Sequence, residues 1–259
     1  MKPGALAAAL CCLWLLPVAA ARAQSPTEAE AARQTEFDGL RLLGAHGQDR
    51  HLTALGIHVA YVDSDTRPSD GMYVCGGMSR DQVLSAASAV SAALQNVPES
   101  SLAKLRLKYV VLCSRVLAGG QSIGGIPVPP LNLLMLDAAG DSAALQHRTL
   151  HELYHLVEYR YAAIEDAAWL DQFGGGYSNR YPALLHRSPI GSGKPGFINA
   201  YGETHPHEDR AELFAFLVLA PRDVAAQIRR AGDAVLKQKA EYIVDKCERL
   251  LGLPVNLPR

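Results

Sequence analysis

Val83, Ala87, Val90, Leu94 and Val97 recur at intervals of three or four residues, the spacing of one helix face. They predict a helix that Ser79 and Gln82 open as a capping box and Pro98 ends. Strand-like runs flank it: Ile57 to Val62, closed by the turn formers Asp63-Ser64-Asp65, Leu107 to Val116 as a buried strand, and Leu131 to Leu136. Asp141 or Ser142 caps a further helix to about Tyr161, with Leu145, Leu153, Leu156 and Val157 on its buried side. A short acidic helix is expected around Ile164 to Asp171, then a long glycine-punctuated connection from Gly174 to Gly196. Helix resumes at Pro206 and runs through Ala211, Phe214, Ala215 and Val218 to Ala220, where Pro221 stops it. A last helix is expected from about Arg222 to Leu251. The pattern predicts an α+β fold: a small mixed sheet followed by a mostly helical C-terminal half.

The segment Gly119-Gly120-Gln121-Ser122-Ile123-Gly124-Gly125, followed by Pro127, Pro129 and Pro130, has two readings. Proline confines it to a sheet edge, where an extended peptide adds by main-chain hydrogen bonds, or else it is a kinked loop feeding an internal strand. No GxxxxGK[ST] follows, so the glycines do not form a phosphate loop.

Composition narrows the setting. Lys2 precedes an apolar run from Ala5 to Ala20, and Ala21-Arg22-Ala23 fits a cleavage site, so residues 1–23 are expected to be a signal peptide with the mature chain starting at Gln24. Residues 24–36 are expected to be a flexible leader and residues 37–259 a single domain. Beyond the signal no run is long enough to span a bilayer. The product is therefore expected in the periplasm or secreted, without a membrane anchor and as a monomer. A net charge of −1, more acidic once Lys2 and Arg22 are removed, gives nucleic acid no footing as a partner. Cys75, Cys113 and Cys247 remain in the mature chain; Cys75 with Cys113 is the expected bridge, since both flank predicted strands.

The chemistry is concentrated in His151-Glu152-Leu153-Tyr154-His155, an HExxH sequence within a helical stretch. Residues four apart share a helix face, so two imidazoles can close on one zinc ion, with Glu152 beside it as the base. The bland reading is a helix that carries two surface histidines. A catalytic zinc takes three protein ligands and keeps one open position. Glu158 and Tyr161 stand where the metzincin pattern requires Gly and His, and the glycines at 174–176 stand where a thermolysin-like spacing requires a glutamate. Glu165, Asp166, Glu208, Asp209 and Glu212 remain as carboxylates, with His205 and His207 as imidazole competitors.

HELYH followed by Tyr201-Gly-Glu-Thr-His-Pro-His-Glu208-Asp209-Arg-Ala-Glu212 resembles the catalytic domain of anthrax lethal factor and related zinc-binding bacterial metallopeptidases, of the gluzincin type. Trp169, Tyr177 and Gly196-Phe197 are similar to the second branch. The likeness spans roughly residues 79–220 and is sharp only in the two motifs. It implies a zincin-like fold with an edge strand beside the HExxH helix. It also implies zinc on His151, His155 and Glu208, Glu152 as the base, and Tyr201 as stabiliser of the oxyanion. Glu208 and Glu212 lie four apart on one helix face, so Glu212 is placed to hydrogen-bond a ligand histidine. The bland readings are a first-turn glutamate for Glu208, a packed aromatic for Tyr201 and a surface ion pair for Glu212. The expected function is an exported endopeptidase with one zinc per chain, acting on a peptide or protein. The rivals are a zinc-binding interaction domain that has lost activity and a metal-free adhesin.

Overall fold

Every residue of Tyr109–Cys113 and Leu133–Asp137 is buried, as expected of strands covered on both faces of a sheet. The computed structural model describes residues 40–43, 50–67, 73–180, 188–255 and 257–258, with only the backbone given at 162–166. The signal peptide, its cleavage site and the leader expected from the sequence lie outside the described residues, as do the side chains of Glu165 and Asp166.

The chain runs β1 (Leu40–Leu42), α1 (Arg50–Ala54), β2 (His58–Val62), β3 (Tyr73–Cys75), α2 (Arg80–Leu94), α3 (Glu99–Leu105), β4 (Tyr109–Cys113), β5 (Val116–Ala118), β6 (Gln121–Ile123), β7 (Gly125–Val128) and β8 (Leu133–Asp137). Then come α4 (Ser142–Phe173), α5 (Pro206–Leu219), α6 (Pro221–Ala231) and α7 (Ala234–Leu251). The larger sheet has the order β1-β2-β4-β8-β7; β2, β4 and β8 run parallel, and β1 and β7 are antiparallel edges. The fold is α+β with a mostly helical C-terminal half. Alternation sorts the strands between two cores. Val59, Val110, Leu112, Leu134 and Leu136 join the main core with the helices, while Ala60, Val111, Leu133 and Met135 face a smaller core with Cys75 and Val116.

The capping box at Ser79 forms as expected, with Gln82 Oε1 accepting from the Ser79 amide at 2.9 Å. The expected strand from Leu107 to Val116 is divided: β4 ends at Cys113, and β5 leaves for a second sheet of order β3-β5-β6. The Cys75–Cys113 disulfide ties that sheet to the first. Both readings of the proline segment hold in part. Gly125–Val128 is the sheet edge with Pro127 inside it, and a 3₁₀ turn at Pro129–Leu131 feeds the internal strand β8.

Three helical boundaries differ from expectation. Pro98 ends one helix stripe and also opens α3, which the pattern did not announce. α4 continues unbroken through the two helices expected on either side of residue 162. The expected last helix breaks at Gly232, which takes φ of 60° as a left-handed cap, and restarts on Asp233, whose side chain accepts from the Leu236 amide. No helix among the described residues is long and apolar enough to cross a membrane.

Candidate metal and catalytic site

Asp141 caps α4 by accepting from the Ala144 amide at 2.8 Å, and Arg148 ties the first turns back to the carbonyls of Asp137 and Ala139. The helix is thereby fixed against the end of β8, and one turn further on it presents the HELYH residues. α5 packs across α4. His205 is its cap and Pro206 its first residue, so Glu208 stands in the first turn, close to the positive end of the helix.

His151 Nε2 and His155 Nε2 lie 3.1 Å apart. Glu208 Oε2 is 3.0 Å from the first and 3.6 Å from the second. Ligands about 2.0–2.1 Å from a tetrahedral zinc are separated by about 3.3 Å, so the three atoms are spaced as one face of such a site. Among the described residues they form the converging group of potential metal ligands. His205 and His207 do not join it. Their rings stack on each other at 4.9 Å, and His205 accepts from the His207 amide at the helix start.

The outer side of each imidazole decides what the inner side offers. His151 Nδ1 faces Glu212 Oε1 at 2.7 Å, and His155 Nδ1 faces Glu158 Oε2 at 2.8 Å. An ionised carboxylate only accepts, so in the neutral imidazoles each Nδ1 carries the hydrogen and each Nε2 keeps a lone pair. With both imidazoles deprotonated, three acceptors point at one place. Burial would lower the His151 pKa, but Glu208 and Glu212 outweigh it and push it up to about 10. His155 is likewise raised, against burial, by Glu158 and Glu208. Burial alone would raise the carboxyls of Glu208 and Glu158; the two histidines hold the first well below the usual carboxylate range, and Arg210 with His155 does so for the second. The cluster demands positive charge where its lone pairs meet. A dication fits that demand.

Glu152 is buried and its carboxyl is raised by that burial. It lies against the edge strand. A Cβ at Gly125 would come within 2.8 Å of Glu152 Cγ and of the Met135 carbonyl, so glycine is what lets β7 and Glu152 share the space. Tyr201 packs beside the cluster, its ring centroid 5.7 Å from that of His151. Burial, then Glu208 and Glu152, raise its phenol well above the ordinary value, which keeps it a donor. The structure thus brings His151, Glu152, His155, Tyr201, Glu208 and Glu212 together.

No protein-family model matches the sequence, and no curated protein matches it. One solved structure is similar, that of a "putative zinc-binding metallo-peptidase" from Bacteroides caccae, at a TM-score of 0.46 and 15% identity, covering 68% of this chain and 74% of that one.

Several residues of the site were not singled out in the sequence. Glu158 does for His155 what Glu212 does for His151, and its other oxygen accepts from Arg210 Nε at 2.6 Å. The signal was present, since Glu158 stands three residues beyond His155 on the same helix. His147, one turn before His151, packs on Phe216 at 4.4 Å and approaches Glu212 Oε2 at 3.5 Å. Asn199 donates to Glu212 from the connection between α4 and α5. Nothing in the spacing of the chain announces that contact.

Proposed function

We propose that this protein is an exported zinc-dependent endopeptidase, with one zinc per chain held by His151, His155 and Glu208. One observation carries the reading. His151 Nε2, His155 Nε2 and Glu208 Oε2 converge within 3.0–3.6 Å, while the Nδ1 of each imidazole faces a carboxylate on its other side, Glu212 or Glu158. Two imidazoles and a carboxylate are a ligand set of catalytic zinc, with a position left open. When bound there, zinc supplies a Lewis acid that lets a water lose its proton near neutral pH.

The protein's own groups do the rest. Glu152 accepts the proton of the attacking water and returns it to the leaving amine; its buried carboxyl, raised by that burial, suits both transfers. Tyr201 keeps its phenolic hydrogen and donates it to the oxyanion of the tetrahedral intermediate. The side of β7 away from β8 is a sheet edge beside Glu152, which supports an extended peptide as substrate. Export is supported by the apolar run from Ala5 to Ala20 and by the Cys75–Cys113 disulfide.

The test compares wild type with Glu152→Gln on a peptide library, with metal content measured on both. Both are expected to hold one zinc, and the variant to lose at least about 10²-fold in cleavage rate. Equal cleavage by the two would sink the assignment of Glu152. A zinc-loaded wild type that cleaves nothing would leave a zinc-binding interaction domain in place of the enzyme.

A further inference from the structure

Tyr201 lies in the connection between α4 and α5, yet an oxyanion donor must be held in place before the reaction begins. The peptide plane that follows its Cα is gripped on both sides. The Tyr201 carbonyl accepts from the Thr204 amide at 3.0 Å and from Thr204 Oγ1 at 2.7 Å, while the Gly202 amide donates to Asn199 Oδ1 at 2.9 Å. Asn199 is fully buried, and its amide hydrogens go to Glu212 Oε2 and to the Ser188 carbonyl. Its orientation is unambiguous. A backbone N–H on one side needs the oxygen, and a carboxylate on the other needs the nitrogen.

Glu212 uses its second oxygen on His151 Nδ1. The contacts therefore form a chain: His151 to Glu212, Glu212 to Asn199, and Asn199 to the Tyr201–Gly202 peptide, with the Tyr201 ring returning to 5.7 Å from the His151 ring. A side chain that only accepts could not serve Glu212, and a shorter one could not span both partners. We propose that Asn199 is a positioning residue for Tyr201, coupling the turn that carries the phenol to the carboxylate that orients His151. The proposal rests on the reading of the site given above.

The test uses Asn199→Ala in the zinc-loaded full chain, with Asn199→Ser in its place if the alanine variant does not fold. Hydrogen exchange of the peptide spanning residues 199–204 is expected to speed up about tenfold while that of α5 stays unchanged. Zinc affinity, measured by chelator competition, is expected to stay within about threefold of wild type. On a cleaved peptide, kcat is expected to fall about tenfold at constant KM, with no further loss on a Tyr201→Phe background that has itself lost about 10²-fold. Unchanged exchange at 199–204 would overturn the proposal, as would a full tenfold loss that persists without the Tyr201 hydroxyl. A fall in zinc affinity matching that of Glu212→Gln would place the effect at the metal instead and would overturn it too. The exchange measurement needs no substrate, so it decides on Asn199 even if the protein hydrolyses nothing.

Discussion

Glu158 and Glu212 stand on different helices, and each sets a carboxylate oxygen beside an imidazole Nδ1 on the side away from the candidate ligand cluster. Such partners raise ligand basicity and hold the ring, and their loss costs about 10–100-fold in metal affinity. Glu158→Gln and Glu212→Gln are each expected to weaken zinc binding by about that much in chelator competition. Glu158→Gln also leaves Arg210 buried without the carboxylate it donates to, so its unfolding transition should drop further than that of Glu212→Gln. Equal affinity in wild type and both variants would show that the outer contacts do not set the tautomers. These residues mark the limit of what the chain discloses. HELYH was legible because its ligands are four apart on one helix, and Glu212 because it is four from Glu208. Glu158 carries the same local signal at the position where the metzincin pattern has glycine. Asn199 had none, because its partners meet it only through the folded connection.

At the level of elements, local chemistry was legible and tertiary choices were not. The Ser79 capping box, the Asp141 cap and the proline start of α5 depend on neighbours in sequence, and each forms. The continuous α4 and the division of the Leu107 to Val116 run depend on packing that no window of sequence contains. The break at Gly232-Asp233 used a legible pair, a left-handed cap followed by an N-cap. The disulfide joins β3 to β4 across 38 residues of chain and so holds the smaller sheet onto the larger. Closing a loop of that length restricts the unfolded chain enough to contribute about 2–4 kcal/mol. Replacing Cys75 and Cys113 together with Ala is expected to cost that amount in denaturant unfolding while leaving zinc stoichiometry unchanged. A loss of zinc binding in the folded variant would show that the bridge also shapes the site.

The proposed zinc ligands come from two parts of the fold, His151 and His155 from the helix that follows the sheet and Glu208 from the helical half. Bound zinc is therefore a link between the two. At a free zinc concentration a hundredfold above Kd, binding adds about 2.7 kcal/mol, or roughly 5–10 °C in Tm for a domain of this size. Chelation should remove it. The size of the effect should also depend on pH, with a sign fixed by the histidines. In the metal-free protein the carboxylates raise His151 from 6.5 to about 10. A raised folded pKa contributes stability that is complete below about 6.5 and lost as pH rises through about 10. Zinc instead requires both imidazoles deprotonated, so its own contribution grows as protons leave. The gap in Tm between zinc-loaded and chelated protein is thus expected to widen steadily as pH rises from about 6.5 toward about 10. A gap that stayed constant or narrowed would mean that protons and metal do not compete for the two Nε2 atoms, and the convergence of lone pairs would lose its meaning.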